Sequence, residues 1–230
     1  MARAPEPPFA GEQSPPRSSQ ERRREVGIAG HLSDQARARA GLGDTSPPVR
    51  AGALSALARM GLLSPEVLAR AMQDESAEVR RRACDLAGAV VGAPLAGLVE
   101  LLSDRDGSVV EAASYALGAV ASSDGAQGGV MAPELVSDAV AALCRTATAH
   151  PEALCREAAT AALGSIGHSD GLEAVLCALG DKPAVRRRAV IALAAFEGPR
   201  AEEALEKSLE DADWQVRQAA EDLLGRRARP

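Results

Sequence analysis

Arginine runs are the feature of this chain whose residue type and spacing could do chemistry. Arg22-Arg23-Arg24, Arg80-Arg81-Arg82 and Arg186-Arg187-Arg188 each place adjacent guanidinia on a short stretch. A guanidinium is a planar fork of donors that grips a carboxylate through two parallel charge-assisted hydrogen bonds. The other candidates are few. His31, His150 and His168 have no Cys, Asp or Glu at recognisable ligand or catalytic spacing. No His-Glu-x-x-His, Walker loop or nucleophile elbow occurs. Cys84, Cys144, Cys155 and Cys177 form no Cys-x-x-Cys pair. Each sits in an apolar helical pattern, the setting of a buried free thiol in a reducing cytosol. Cys144 and Cys155 could approach one another across a helix pair, with core packing as the ordinary alternative. The expectation is a protein that is not an enzyme, with no catalytic residue, no cofactor and no metal.

The elements that carry these residues repeat. Val49-Arg50, Val79-Arg80, Val109-Val110, Cys155-Arg156, Val185-Arg186 and Val216-Arg217 occupy one recurring position, at steps of 30, 30, 46, 30 and 31 residues. Self-similarity at this period marks a stacked array, in which no unit buries its apolar face alone. Four residues after the recurring Val or Cys stands Ala in every unit: Ala53, Ala83, Ala113, Ala159, Ala189 and Ala220. Seven and eight residues after it both positions are apolar, as in Ala56-Leu57 and Ala162-Leu163. Positions 0, +4, +7 and +8 share one face of a helix. An acid stands five residues before the Val at Asp44, Asp74, Asp104 and Asp211, with Asp181 one position later in the fifth unit.

Composition agrees with helix. The chain is rich in Ala, Leu, Arg and Glu, and the only aromatics are Phe9, Tyr115, Phe196 and Trp214. Lysine occurs only at Lys182 and Lys207 and asparagine not at all, a bias that by itself supplies many arginines. The net charge of -6 argues against wholesale binding of nucleic acid or anionic membrane. No apolar run is long enough to span a bilayer, and the amino terminus lacks the apolar core of a secretory signal. A cytoplasmic monomer is expected.

Residues 1–24, rich in Pro, Ser, Arg and Glu, read as a disordered tail. The array should cover 25–225, in units of about 25–61, 62–92, 93–121, 122–167, 168–198 and 199–225, with 226–230 frayed. Its first helix, Glu25 to Leu42, is open to a break near Gly30 or Ser33. The fourth unit holds the 16 extra residues, as a Gly/Ser-rich loop from Ser122 to Gly129 and a long helix from Pro133 to Ala149.

The phrase Asp44-Thr-Ser-Pro-Pro-Val49-Arg50-Ala-Gly-Ala53-Leu-Ser-Ala56-Leu57 resembles the HEAT repeat, in particular the short HEAT-like class of phycobilisome lyase subunits and many bacterial proteins. The resemblance implies an all-α fold, a right-handed α-solenoid of about six antiparallel helix pairs. It further implies an inter-repeat ladder between the turn acids Asp44, Asp74, Asp104, Asp181 and Asp211 and the arginines Arg50, Arg80, Arg156, Arg186 and Arg217. Val110 replaces the Arg in the third unit and His150 the acid in the fourth, which leaves the ladder in question beside the 121–136 insertion. Bilin attachment has no residue signature here.

In such solenoids the second helix of each pair lines the concave surface, with positions +2, +3 and +6 exposed. This row predicts a partner-binding set of Arg81, Arg82, Asp85, Glu111, Tyr115, Glu157, Arg187 and Arg188. Basic ends, a small-residue floor and one aromatic suit a protein or peptide partner, acidic where it meets the arginines. The competing reading is an Arg-biased, solvated helix face. Tyr115 also suits a packing role, and Trp214 either caps the last repeat or marks a docking point. The expected function is a protein-interaction scaffold. Association with nucleic acid, and an accessory, lyase-like role beside an enzyme, are the alternatives.

Overall fold

The computed structural model describes residues 17–122 and 132–227. Among them the chain forms thirteen α-helices and no strand. In order these are α1 (Ser19–Leu32), α2 (Gln35–Gly41), α3 (Pro47–Arg59), α4 (Pro65–Met72), α5 (Ala77–Ala87), α6 (Leu95–Leu101), α7 (Gly107–Ala121), α8 (Pro133–Ala149), α9 (Ala153–Ile166), α10 (Leu172–Ala178), α11 (Pro183–Ala192), α12 (Pro199–Ser208) and α13 (Trp214–Arg227).

The helices stack in two rows. The odd-numbered helices, α1 through α13, each pack on the next odd-numbered helix. The even-numbered helices form a second, looser row behind them. The recurring apolar phrase makes the core. Val49, Val79, Val109, Cys155, Val185 and Val216 are buried, and so are the Ala residues four positions on. Ser64 caps α4 through the amide of Val67, with Pro65 and Glu66 filling the first turn.

One spacing sets how closely the odd-numbered row packs. Nine residues after the recurring Val position stand Gly118 in α7 and Gly164 in α9, and Gly30 is their counterpart in α1. A Cβ on Gly164 would lie 2.7 Å from Ala192 Cα, and one on Gly118 would lie 2.9 Å from Ala162 Cα. A Cβ on Gly30 would lie 3.0 Å from Ala56 Cα. These glycines let the odd-numbered helices approach until backbone meets backbone. The even-numbered row has no such seam, and its helices pack less closely on one another.

The amino-terminal boundary differs from the expectation. The chain is helical from Ser19, not structureless through residue 24, and residues 1–16 lie outside the described residues. Ser18 accepts from the amide of Glu21 while the Glu21 carboxylate accepts from the Ser18 amide, a complete capping box. The expected break falls at Ser33, which takes a left-handed conformation and separates α1 from α2. At the other end α13 continues to Arg227, beyond the expected fray at 226. The loop expected from Ser122 to Gly129 lies outside the described residues from 123 onward. Helix α5 stops at Ala87, and in the glycine-bearing turn that follows Gly92 takes a positive φ of 74°.

Candidate functional site

Two sets of side chains leave the odd-numbered helices. One joins repeat to repeat and the other faces the groove.

The joining set is a ladder of arginine forks. Arg50 donates from Nε to Asp74 Oδ2 at 2.8 Å and from Nη2 to Asp74 Oδ1 at 2.7 Å. Its Nη1 donates to the carbonyl of Asp44, at the turn before its own helix, at 2.9 Å. Arg80 repeats this with Asp104 at 2.7 and 2.9 Å, Arg156 with Asp181 at 2.6 and 2.8 Å, and Arg186 with Asp211 at 2.8 and 2.7 Å. Arg217 keeps the backbone anchor, donating from Nη1 to the carbonyl of Asp211 at 2.7 Å. A further rung lies outside the expected set. Arg22, from the run read as tail, donates to Asp44 at 2.7 and 3.0 Å. Helix α1 is therefore a second-type helix without the usual apolar phrase: Glu21 and Glu25 fill its 0 and +4 positions.

Each aspartate also accepts from a nearby amide: Asp44 from Ser46, Asp74 from Ser76, Asp104 from Asp106, Asp181 from Lys182 and Asp211 from Asp213. The arginine's hydrogen bonds hold the carboxyls of Asp44, Asp181 and Asp211 below the ordinary range, against an opposing effect of burial. At Asp74 and Asp104 burial is the largest influence and pushes upward. Arg50 or Arg80, together with the amide of Ser76 or Asp106, outweighs it, and the net direction is again down.

The ladder skips the step from α7 to α9. Val110 is fully buried, and His150 Nδ1 accepts from the Glu152 amide at 3.1 Å, as the aspartates do from theirs. Donor and acceptor are thus replaced together, and no charge is stranded. Cys155 Sγ meets the Gly107 carbonyl at 3.3 Å, whereas Cys144 Sγ points to the Asp170 carbonyl at 3.7 Å. The two thiols face different neighbours and do not pair. Burial, then Glu152 and Glu111, pushes the Cys155 thiol up to about 11; burial, then Asp85 and Asp104, pushes Cys84 up to about 12. Both are poor nucleophiles at neutral pH. His168 accepts through Nδ1 from the Asp170 amide. Among the described residues no group of three or more His, Cys, Asp or Glu is placed to hold a metal ion.

The groove set is less uniform than the spacing suggests. Arg81, Asp85 and Tyr115 are exposed, while Arg82, Glu111, Glu157, Arg187 and Arg188 are half-buried. Arg82 lies 3.5 Å from Asp85 on its own helix. Arg188 reaches across to Glu157 on α9 at 3.4 Å, and its Nε is buried without a hydrogen-bond partner. Tyr115 stands near this pair. Its phenol is raised first by burial; Arg188 opposes that, and Glu157 and Glu111 add to it. The structure thus joins Glu111, Tyr115, Glu157 and Arg188 in one cluster across α7, α9 and α11, with Arg81 and Arg82 apart on α5. The two basic ends are unequal: at the far one Arg188 is paired with Glu157 while Arg187 makes no ion pair among the described residues, and the near one is extended by the exposed Arg23 and Arg24 on α1. Ala51 and Ala158, at groove positions of α3 and α9, are buried. Trp214 is the first residue of α13 and 64% exposed.

Larger clefts of about 610, 450 and 380 Å³ lie along the even-numbered row, at α10/α12, α2/α4 and α6/α8. They recur at one register and arise from the splay of short helices.

Two stacked rows of short helices, joined by rungs at every step but that from α7 to α9 among the described residues, define an α-solenoid of helical repeats. The HEAT-repeat family matches residues 134–225, and the same helix order and rung geometry run through the amino-terminal half. No curated protein matches it. Among solved structures, an engineered protein superposes with a TM-score of 0.64 at 20% identity, over 93% of this chain and 65% of its own length. A designed armadillo repeat protein, solved in complex with the peptide (KR)4, superposes with a TM-score of 0.56 at 18% identity, over 89% of this chain and 97% of its own. A structure of Kap95p with RanGDP holds a chain similar at a TM-score of 0.59 and 17% identity, over 91% of this chain and 34% of that one. At these identities the likeness is one of fold. No helix among the described residues is long and apolar enough to cross a membrane.

Proposed function

We propose that this protein is a non-catalytic interaction scaffold that acts as a cytoplasmic monomer and binds an elongated segment of a partner protein along its concave row. The carrying observation is the division of labour among its arginines. One set is committed to the rungs, and Arg23, Arg81, Arg82 and Arg187 are left facing the groove beside Asp85, Glu111, Tyr115 and Glu157. A groove of fixed curvature with alternating charge and one phenol selects a peptide by charge pattern. The solved neighbours bound to the peptide (KR)4 and to RanGDP support a protein partner. The carboxylates that interrupt the basic residues, together with the net charge of -6, oppose a nucleic-acid backbone.

Affinity capture from native lysate, comparing wild type with Arg81→Glu/Arg82→Glu/Tyr115→Ala/Arg187→Glu, tests this. A partner lost from the variant, at unchanged helicity by circular dichroism, is the expected result. A partner retained at full strength would move the interface off the concave row.

A further inference from the structure

The groove is not basic throughout, and one place along it is built differently from the rest. Between α1 and α5 the concave positions of α3 are small: Ala51, Gly52 and Ser55. They floor a cleft of about 200 Å³, walled by Arg23 of α1, Arg59 of α3 and Arg82 of α5, with Glu78 on the rim. Three helices therefore each contribute one arginine to the walls of one recess.

The placement of each is visible in its contacts. The stem of Arg23 lies over α3, since a Cβ on Gly52 would sit 4.0 Å from Arg23 Cγ. Arg59 lies back across α1, since a Cβ on Gly30 would sit 2.7 Å from Arg59 Nη1. Neither Arg23 nor Arg59 makes an ion pair among the described residues, in contrast with the rung arginines. Among the described residues, of the three only Arg82 makes an ion pair, with Asp85 at 3.5 Å. The other end of the groove lacks this arrangement, because Arg188 is held by Glu157.

Resting on the concave-row reading, we infer that this cleft is a carboxylate pocket and that it takes an Asp or Glu side chain of an extended acidic peptide segment. Guanidinia converging from several elements recognise a carboxylate through forked, charge-assisted bonds. Glu78 on the rim adds repulsion that weighs more heavily on a dianion than on a single carboxylate. The neighbouring stretch over α7 and α9 carries Glu111 and Glu157, so the acidic part of the segment ends at α5. The part of the ligand lying over α7 and α9 is neutral or basic. The groove thereby imposes a direction on its ligand.

The test is fluorescence anisotropy on the full chain with three labelled synthetic peptides. One carries Glu at every third position among glycines, the second carries Lys in place of Glu, and the third carries phosphoserine in place of Glu. The expected result is binding of the Glu peptide in preference to the Lys peptide. Arg23→Glu/Arg59→Glu should weaken it at least tenfold, and Arg187→Glu less than twofold, with circular dichroism unchanged. Equal binding of the Glu and Lys peptides, or indifference to Arg23→Glu/Arg59→Glu, would overturn the pocket. Tighter binding of the phosphoserine peptide than of the Glu peptide would overturn the carboxylate assignment. If Arg187→Glu alone removes binding, the groove stands as the interface and the cleft does not. The lysate capture separately decides the groove itself.

Discussion

Each rung ties three groups together: a guanidinium, the carboxylate of the next repeat and a backbone carbonyl of its own turn. Arg80 and Asp104 are nearly sequestered from water, so truncating one partner leaves a charge without its counter-ion. Arg80→Ala should cost roughly 3 kcal/mol in urea unfolding, at the low end for a broken buried pair. Arg81→Ala, next to it in sequence but facing the groove, should stay within about 0.5 kcal/mol of wild type. Equal losses would mean that the two residues do not face different ways. Acid should act on the same rungs. The carboxyls of Asp44, Asp74, Asp104, Asp181 and Asp211 all lie lower in the folded state than in the unfolded chain. A depressed carboxyl stabilises fully above its unfolded pKa, about 3.9 for Asp, and that contribution is lost as pH falls through the folded value. Thermal melts should therefore shift little on account of these groups from pH 7 to 5 and fall steeply below about 4. Asp104→Asn should flatten part of that fall.

At the level of helices, close approach rather than side-chain bulk sets the packing of the odd-numbered row. Gly164→Ala forces a methyl onto the backbone of Ala192, and overpacking of this kind costs about 1–3 kcal/mol. Gly27→Ala, in α1 with nothing within 4 Å, should instead be neutral or gain about 0.5–1 kcal/mol from helix propensity. Thermal denaturation of the two variants checks the contrast. The same scale explains what could be read from the chain alone. Positions 0, +4, +7 and +8 announce the core because burial there demands apolar residues in every unit. Helix α1 hides its kinship with the other odd-numbered helices because its 0 and +4 positions face no preceding helix among the described residues, and Glu21 and Glu25 occupy them. Two signals are nonetheless legible, the Ser18-x-x-Glu21 box and an arginine 22 residues ahead of Asp44. The glycines at +9 are legible as a column too, but their meaning depends on a neighbour a whole repeat away. The pairing of Arg188 with Glu157 is out of reach for the same reason: residues 31 apart meet only once the helices are stacked.

Across the whole molecule, stability should be regional. A repeat array gains its stability from each unit and from its neighbours, so damage stays near its origin. Arg186→Ala should raise hydrogen exchange in α11 through α13 and leave α1 through α5 as protected as in wild type; a uniform rise would indicate one cooperative unit. The rungs also have a consequence for how such a chain can change length. Outside the step from α7 to α9, where Val110 and His150 take their places, each rung joins a plug, the turn carboxylate, to a socket, the arginine, and plug and socket lie close together in sequence at the start of the second helix. The fourth unit bears all its additional residues before that junction, between the end of α7 and the end of α8, while His150 and Cys155 keep the spacing of Asp44 and Val49. Material added outside the junction leaves the coupling untouched, and material added inside it would disturb the rung at that step alone. The array is thus a train of interchangeable cars, whose cargo can be resized freely so long as the couplings keep their gauge.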